Sequence, residues 1–390
     1  MRDNVMSDNL CNFGADFEIR ADSLGMGSSG IVAILLSLSS SQDDADIIKY
    51  GGNNDIDTSN LVDGKPIYYL TEESDIVIDS SSNAGSVYCI DCQNVTLSGL
   101  TLMNNLYGIY FLNTISSKVE KCRVANNKFG GISLGYSMNN SICCNNANSN
   151  HFGIGLVGSN NNSIIANDIR DNEFIGVIIN MESQFNIIKG NQIERNDGGV
   201  LLDRSSYNIL KGNNVSNNNL SITLSASSNN TVMSNNASYN ELAGIELFNS
   251  NNNDLMANRV QYNELGGFVL SGSSNNTIRN NNASYNGYGI GTDSTSNNNI
   301  ILYNDVCYNG FFGIGFLGSN NNTLYHNSLV DNVEVNAIDN GTNHWDDGAA
   351  GNYYNDFNCI DLNGDGICDS VYEILGGESV DRYPLAKPPT

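Results

Sequence analysis

The sequence predicts an all-β solenoid in which short parallel strands wind three to a turn. Two observations predict it. A glycine, once a serine, followed by an apolar residue recurs about every 23 residues: Gly108-Ile109, Gly131-Ile132, Gly153-Ile154, Gly176-Val177, Gly199-Val200, Ser221-Ile222, Gly244-Ile245, Gly267-Phe268, Gly289-Ile290 and Gly313-Ile314. Each unit also holds three apolar patches of two to four residues, separated by Asn, Gly and Ser. A unit this short cannot bury its own apolar face, so successive copies must stack.

The patches alternate with period two, as half-buried strands do, and Asn and Gly interrupt any helical pattern. The unit from Asn161 through Ile169 to Ile179 shows the plan, and Tyr207 to Leu224 and Asn229 to Leu247 repeat it. In the marker strand the two apolar residues point inward. The residue between them faces out: Tyr110, Ser133, Gly155, Ile178, Leu201, Thr223, Glu246, Val269, Gly291 and Gly315. Ile178, Leu201 and Val269 make one side of that face mildly apolar. Asn suits the corners because it tolerates left-handed dihedrals and bonds its own backbone. Stacked from coil to coil, its amides form a ladder. The same Asn-Thr/Ser chemistry creates glycosylation sequons at or beside Asn94, Asn140, Asn162, Asn214, Asn219, Asn230, Asn236, Asn276, Asn282, Asn322 and Asn340.

Three segments follow. Residues 1–50 are an atypical leader or N-terminal capping segment, 51–340 are the solenoid, and 341–390 are a C-terminal cap. The apolar run Gly30 to Leu38 is too short to span a bilayer and sits behind an acidic stretch, so an export signal is not evident. No other stretch reads as transmembrane.

With 17 Lys and Arg against 42 Asp and Glu, the net charge is -25. This excludes nucleic-acid backbones and anionic membranes as partners. The nine Cys are neither dense nor evenly spaced, which is not a small-protein disulfide framework. Cys122 and Cys144 each lie ten residues before a marker isoleucine, so they are either stacked neighbours able to pair or buried core thiols. Cys89 and Cys92 lack the second pair that a zinc site needs. His151, His326 and His344 are scattered, and copper or zinc wants converging soft donors.

Two segments carry candidate chemistry. The densest charge lies between 160 and 205, with Asp168, Asp171, Glu173, Glu182, Glu194, Asp197 and Asp203 beside Arg170, Arg195 and Arg204. Hydrolysis needs two carboxylates at a fixed separation. Lytic elimination needs a carboxylate, often with Ca²⁺, and a basic side chain. Asp168, Asp171, Glu173, Arg170 and Arg195 are the catalytic candidates, set against a solvated acidic face. No Asp-Pro-His occurs, which counts against a carbohydrate epimerase. In the cap, Asp361, Asn363, Asp365, the carbonyl of Ile367, and Asp369 follow the ligand order of a calcium loop, with Gly366 at the tight turn. The twelfth position is Tyr372, so a short Asp-rich turn with structural Ca²⁺ fits better than a helix-flanked loop. A turn without metal is the alternative. Cys359 and Cys368 flank it as a candidate staple.

The tail motifs Asn343-His344-Trp345-Asp346, Gly351 to Asp356, Asp361 to Asp369 and Asp381-Arg382-Tyr383-Pro384-Leu385 resemble the end of NosD-like proteins, within the carbohydrate-binding and sugar-hydrolase β-helix group. Asp55 to Tyr69 and Cys92 to Leu97 resemble that family's opening. The resemblance covers roughly residues 50–390. It implies a right-handed parallel β-helix, an archaeal (methanogen) type of surface protein, an extracellular or cell-surface location, and a carbohydrate-facing role. For NosD itself it implies help in maturing a copper enzyme, for which this chain offers few converging donors. The leading functional expectation is therefore a non-enzymatic β-helix protein that binds polysaccharide or cell-envelope glycan. A polysaccharide lyase or hydrolase and a structural spacer are the alternatives.

Overall fold

A computed structural model describes residues 4–6 and 55–389. The chain divides into two compact units, 1–163 and 164–390. The run Gly30 to Leu38 and most of the expected leader lie outside the described residues.

In the first unit, long strands Lys65–Thr71, Ser86–Ile90, Tyr107–Leu112, Gly130–Gly135 and Phe152–Val157 pair in parallel and in order. Two ladders of short strands complete each coil, for example Lys118–Glu120 on Ser141–Cys143 and Arg123–Ala125 on Asn146–Asn148. The start is a small antiparallel hairpin, Leu61–Val62 against Lys65 and Pro66, with Val5–Met6 added in parallel.

The second unit repeats the plan with long strands Ile175–Asn180, Gly198–Asp203, Leu220–Ser225, Ala243–Phe248, Gly266–Ser271, Tyr288–Thr292, Phe312–Phe316 and Val335–Asp339. Val177, Val200, Ile222, Ile245, Phe268, Ile290, Ile314 and Ala337 share one register column and are buried. The expected period ended near residue 335, but the structure adds a further coil there. Its marker is Asn336-Ala337, and Pro66-Ile67 and Ser86-Val87 extend the first unit in the same way. Glycine at the marker answers to crowding rather than to dihedral angle. A Cβ on Gly199 would lie 2.6 Å from the Ser221 carbonyl oxygen. Where Ser221 replaces glycine, its hydroxyl donates to the Val215 carbonyl at 2.9 Å.

The corners are held by asparagine. In the second unit buried asparagines form series in which the backbone amide of one donates to the side-chain oxygen of the Asn one coil further on. One such series runs Asn167, Asn191, Asn213, Asn235, Asn258, Asn281, Asn304, Asn327 and Asn352. A second runs from Asn186 to Asn343 and a third from Asn172 to Asn332. Ser205, Ser227, Ser250, Ser273 and Ser296 form a fourth. Asparagine does take the left-handed conformation at corners, as at Asn217, Asn229, Asn252 and Asn275, but not at the ladder positions. Except at the terminal Asn343 and Asn352, the residue immediately before each ladder asparagine does, whatever its type: Ala166, Asp171, Arg195, Tyr207, Ser234, Tyr262 and His326 all have φ between 48° and 62°. The ladder side chain must point into the wall, and the left-handed residue before it turns the chain to allow this.

Asn258 shows the energetics. Its oxygen accepts from the Asn235 amide at 3.0 Å, and its Nδ2 donates to the Val232 carbonyl at 2.8 Å. Asn258→Ala leaves both buried groups unpaired and is expected to cost roughly 2–4 kcal/mol in denaturant unfolding. Asn258→Asp keeps the acceptor and loses the donor, so it should destabilise too, whereas Glu264→Ala, exposed and outside the left-handed positions, should change stability by less than about 0.5 kcal/mol.

Candidate functional site

The charged segment of the second unit is organised as ion pairs along three separate lines. Arg170 bonds Asp168 and lies 3.3 Å from Glu194. Arg195 holds Asp171 with two hydrogen bonds of 2.7 and 2.9 Å, and this pairing keeps the Asp171 carboxyl below its ordinary range. Arg204 pairs with Asp203 at 3.1 Å. Glu194 and Asp197 also accept from the side chains of Asn214 and Asn219. Asp168, Asp171, Arg170 and Arg195 are thus taken up by neighbours. Glu173 is exposed at the corner after Asn172, outside these three lines.

The outer face of the long strands is a different surface. Ile178, Leu201, Thr223, Glu246, Val269, Gly291, Gly315 and Ile338 occupy one register column. Ile178 and Leu201 were expected to face solvent, but both are buried, side by side in adjacent strands. Burial pushes the carboxyls of Glu246 and Asp203 above their ordinary range.

The third feature is aromatic. Tyr239, Tyr262, Tyr285 and Tyr308 occupy the left-handed position of four successive corners. Their rings stack at 4.8, 4.9 and 5.0 Å with interplanar angles of 9°, 7° and 13°. All four are exposed, by 53%, 41%, 45% and 45%. Placing tyrosine in this conformation costs about 1–2 kcal/mol per residue, and ring stacking offsets it. The column presents four phenol edges at the solenoid's own spacing. The signal in the sequence is a Tyr-Asn pair recurring every 23 residues from Tyr239 to Tyr308.

The cap closes the second unit. Trp345 is fully buried and donates from Nε1 to Asp339 at 3.0 Å. Asp346 is clasped by Arg382 at 3.0 and 2.8 Å, and Tyr372 stacks on Tyr354 at 3.7 Å. Cys359 and Cys368 are joined by a disulfide. In the loop between them Asp361 accepts from the Gly364 and Gly366 amides, Asp365 from Ile367, and Asp369 from Leu362. Cys122 and Cys144 are unpaired, which removes the alternative of a disulfide between them. The stacking partner of Cys122 is Asn145, whose side chain accepts from the Cys122 amide at 2.9 Å. Cys144 is one residue off that register, exposed and left-handed.

A family model described as NosD, periplasmic copper-binding protein, matches residues 40–208, 176–282 and 244–359. A point mutant of the periplasmic alginate epimerase AlgG is similar in structure, with TM-score 0.55 and 18% identity over 71% of this chain and 76% of that one. The A-module of an Azotobacter vinelandii mannuronan C-5 epimerase is similar at TM-score 0.50 and 14% identity, over 74% and 85%. No curated protein matches in sequence. These likenesses establish a right-handed parallel β-helix. The copper in the family description does not fit the residues present. His151 packs edge-on against Phe152, and His326 stacks on Tyr303. Among the described residues no three His, Cys, Asp or Glu gather as metal ligands.

Within the cap, Asp381 accepts from the Asn352 and Tyr383 amides and the Tyr354 hydroxyl. Burial nevertheless outweighs these bonds and raises its carboxyl from the ordinary value of 3.8 to about 7. A raised folded-state value means that the protonated form is favoured by folding. Stability from Asp381 is therefore full below its unfolded value and is lost as pH rises through about 7. Amide hydrogen exchange at Asn352 and Tyr383, corrected for intrinsic rate, should show less protection at pH 8 than at pH 5. Asp381→Asn should flatten that dependence.

Proposed function

The chain belongs to the NosD family, and from that premise we propose that it is a non-enzymatic, extracellular or cell-surface β-helix protein that binds glycan along the tyrosine column of its second unit. The observation that carries this reading is the exposed stack of Tyr239, Tyr262, Tyr285 and Tyr308. Its spacing is close to the length of one pyranose in an extended chain. Phenol edges offer each sugar an apolar contact and a hydrogen-bonding hydroxyl. The similar solved structures are alginate epimerases, which supports a carbohydrate as the partner. A net charge of -25 repels polyanionic chains and favours uncharged ones. The ion pairs of the 168–204 segment support a structural role there rather than a catalytic one. Among the described residues no helix is long and apolar enough to cross a membrane.

The cap loop is proposed to take structural Ca²⁺ through Asp361, Asn363, Asp365, the Ile367 carbonyl and Asp369, whose carboxylates would turn from the backbone amides they accept from and gather on the ion. The hard oxygen donors and the short loop closed by the Cys359–Cys368 disulfide support this.

An array of neutral oligosaccharides tests the first reading. Wild-type protein should be retained without releasing products. Tyr262→Ala combined with Tyr285→Ala should weaken retention by about ten-fold or more. Unchanged retention sinks the column as the site, and product release would favour a hydrolase or lyase. For the cap, millimolar Ca²⁺ should raise Tm relative to chelator, and Asp365→Asn should remove the difference. An equal Tm in both conditions would dismiss the ion.

A further inference from the structure

Glu246 is the one carboxylate on the outer face of the second unit's long strands that stands at the middle of its strand. It aligns between Thr223 and Val269, neither of which is charged. Among the described residues it takes part in no ion pair and no side-chain hydrogen bond. Its partial burial has already raised the carboxyl. A half-buried carboxylate without a counter-charge is costly unless a ligand supplies one.

Beside it lies an aromatic shelf. The Tyr288 ring lies across two glycines. A Cβ on either Gly266 or Gly291 would meet its Cε2 at 2.6 Å. The Phe312 ring lies over Gly315 in the same way, also at 2.6 Å. The two rings stack at 5.0 Å and 21°. The three glycines therefore seat the rings on the strand surface instead of letting them project. Glu246 and Gly291 stand in the same outward column with Val269 between them, and the Tyr288 ring lies on Gly291. Burial first, and then the Glu246 charge, push the Tyr288 hydroxyl up to about 12. A carboxylate next to aromatic rings is the chemistry that recognises an ammonium group, by charge pairing and by attraction to the ring face.

We propose that Glu246, Tyr288 and Phe312 form a subsite for a protonated amino sugar. The inference rests on the glycan-binding reading but places a second contact on the outer face of the long strands rather than on the tyrosine corner. The ammonium of the sugar meets the Glu246 carboxylate, and the apolar side of the ring lies on the shelf. A uronate is excluded, because its carboxylate would face that of Glu246. A neutral or N-acetylated sugar leaves Glu246 without its counter-charge.

The test uses the full chain, with glucosamine and N-acetylglucosamine as probes followed by saturation-transfer NMR near neutral pH. Glucosamine should bind about ten-fold tighter than its acetylated form, the scale of one partly desolvated charge pair. Glu246→Gln should abolish that preference while circular dichroism stays unchanged and Tm does not fall. Phe312→Leu should weaken both sugars. Equal binding of the two sugars, no response to glucosamine, or a preference that survives Glu246→Gln each overturns the proposal. Binding of neutral oligosaccharides, read through Tyr262→Ala and Tyr285→Ala, is scored separately. Protein that retains oligosaccharides but ignores glucosamine loses this subsite only. The opposite result loses the tyrosine column only.

Discussion

The hydrogen bond from one buried asparagine amide to the next asparagine's side-chain oxygen is the constraint on which the second unit depends. Strand ladders satisfy the backbone on the flat walls of a β-helix, but every corner breaks them. A buried corner leaves N–H and C=O groups with neither water nor strand to pair with, and each such group is expensive. Asparagine solves both halves at once. Its oxygen accepts from the corner below, as Asn258 does from Asn235, and its amide donates to a wall carbonyl, as Asn258 does to Val232. Aspartate lacks the donor and glutamine is too long for the same reach. Serine does a reduced version of this where the corner is shallower, from Ser205 to Ser296.

This arrangement explains which parts of the fold were legible. The Gly-apolar marker is easy to see because the inner wall tolerates only one shape, and the Gly199 position leaves no room for most side chains. Coils marked Pro66-Ile67, Ser86-Val87 and Asn336-Ala337 escape a glycine-based reading because their inward residue, not the glycine, carries the stacking. The pairing of Cys122 with Asn145 rather than Cys144 was hidden for a related reason. A one-residue difference in corner length shifts register, and only the hydrogen bond across the corner shows which residue is opposite.

The candidate sites were legible to different degrees. The charged segment stood out in the sequence, yet charge density says nothing about pairing, and the arginines there reach the acids of their own and adjacent coils. Glu246 was visible as an outward residue, but its isolation depends on Thr223 and Val269 above and below it and on a Tyr288 ring held down by two glycines. The tyrosine column was written plainly as a repeated Tyr-Asn pair. It is overlooked when asparagine itself is taken to be the left-handed residue of the corner.

Because the ladder asparagine and the two inward apolar residues of each coil are fixed by packing, few positions remain free to vary. They are the left-handed residue before each ladder asparagine and the outward residue between the two inward ones. The first column reads Asp171, Arg195, Asn217, then four tyrosines, then Asp331. The second reads Ile178, Leu201, Thr223, Glu246, Val269, Gly291 and Gly315. A ligand that discriminates along the second unit must read variable columns such as these, since the ladder and inward residues are repeated from coil to coil. Two places stand out within them: the tyrosine stack, and Glu246 with its aromatic shelf. Stacked rings suit a repeating, uncharged partner, because four similar edges cannot tell one unit from the next. A single unpaired carboxylate suits the opposite task, picking out one charged residue within such a chain. The two features therefore divide affinity from selectivity between two columns of the same unit.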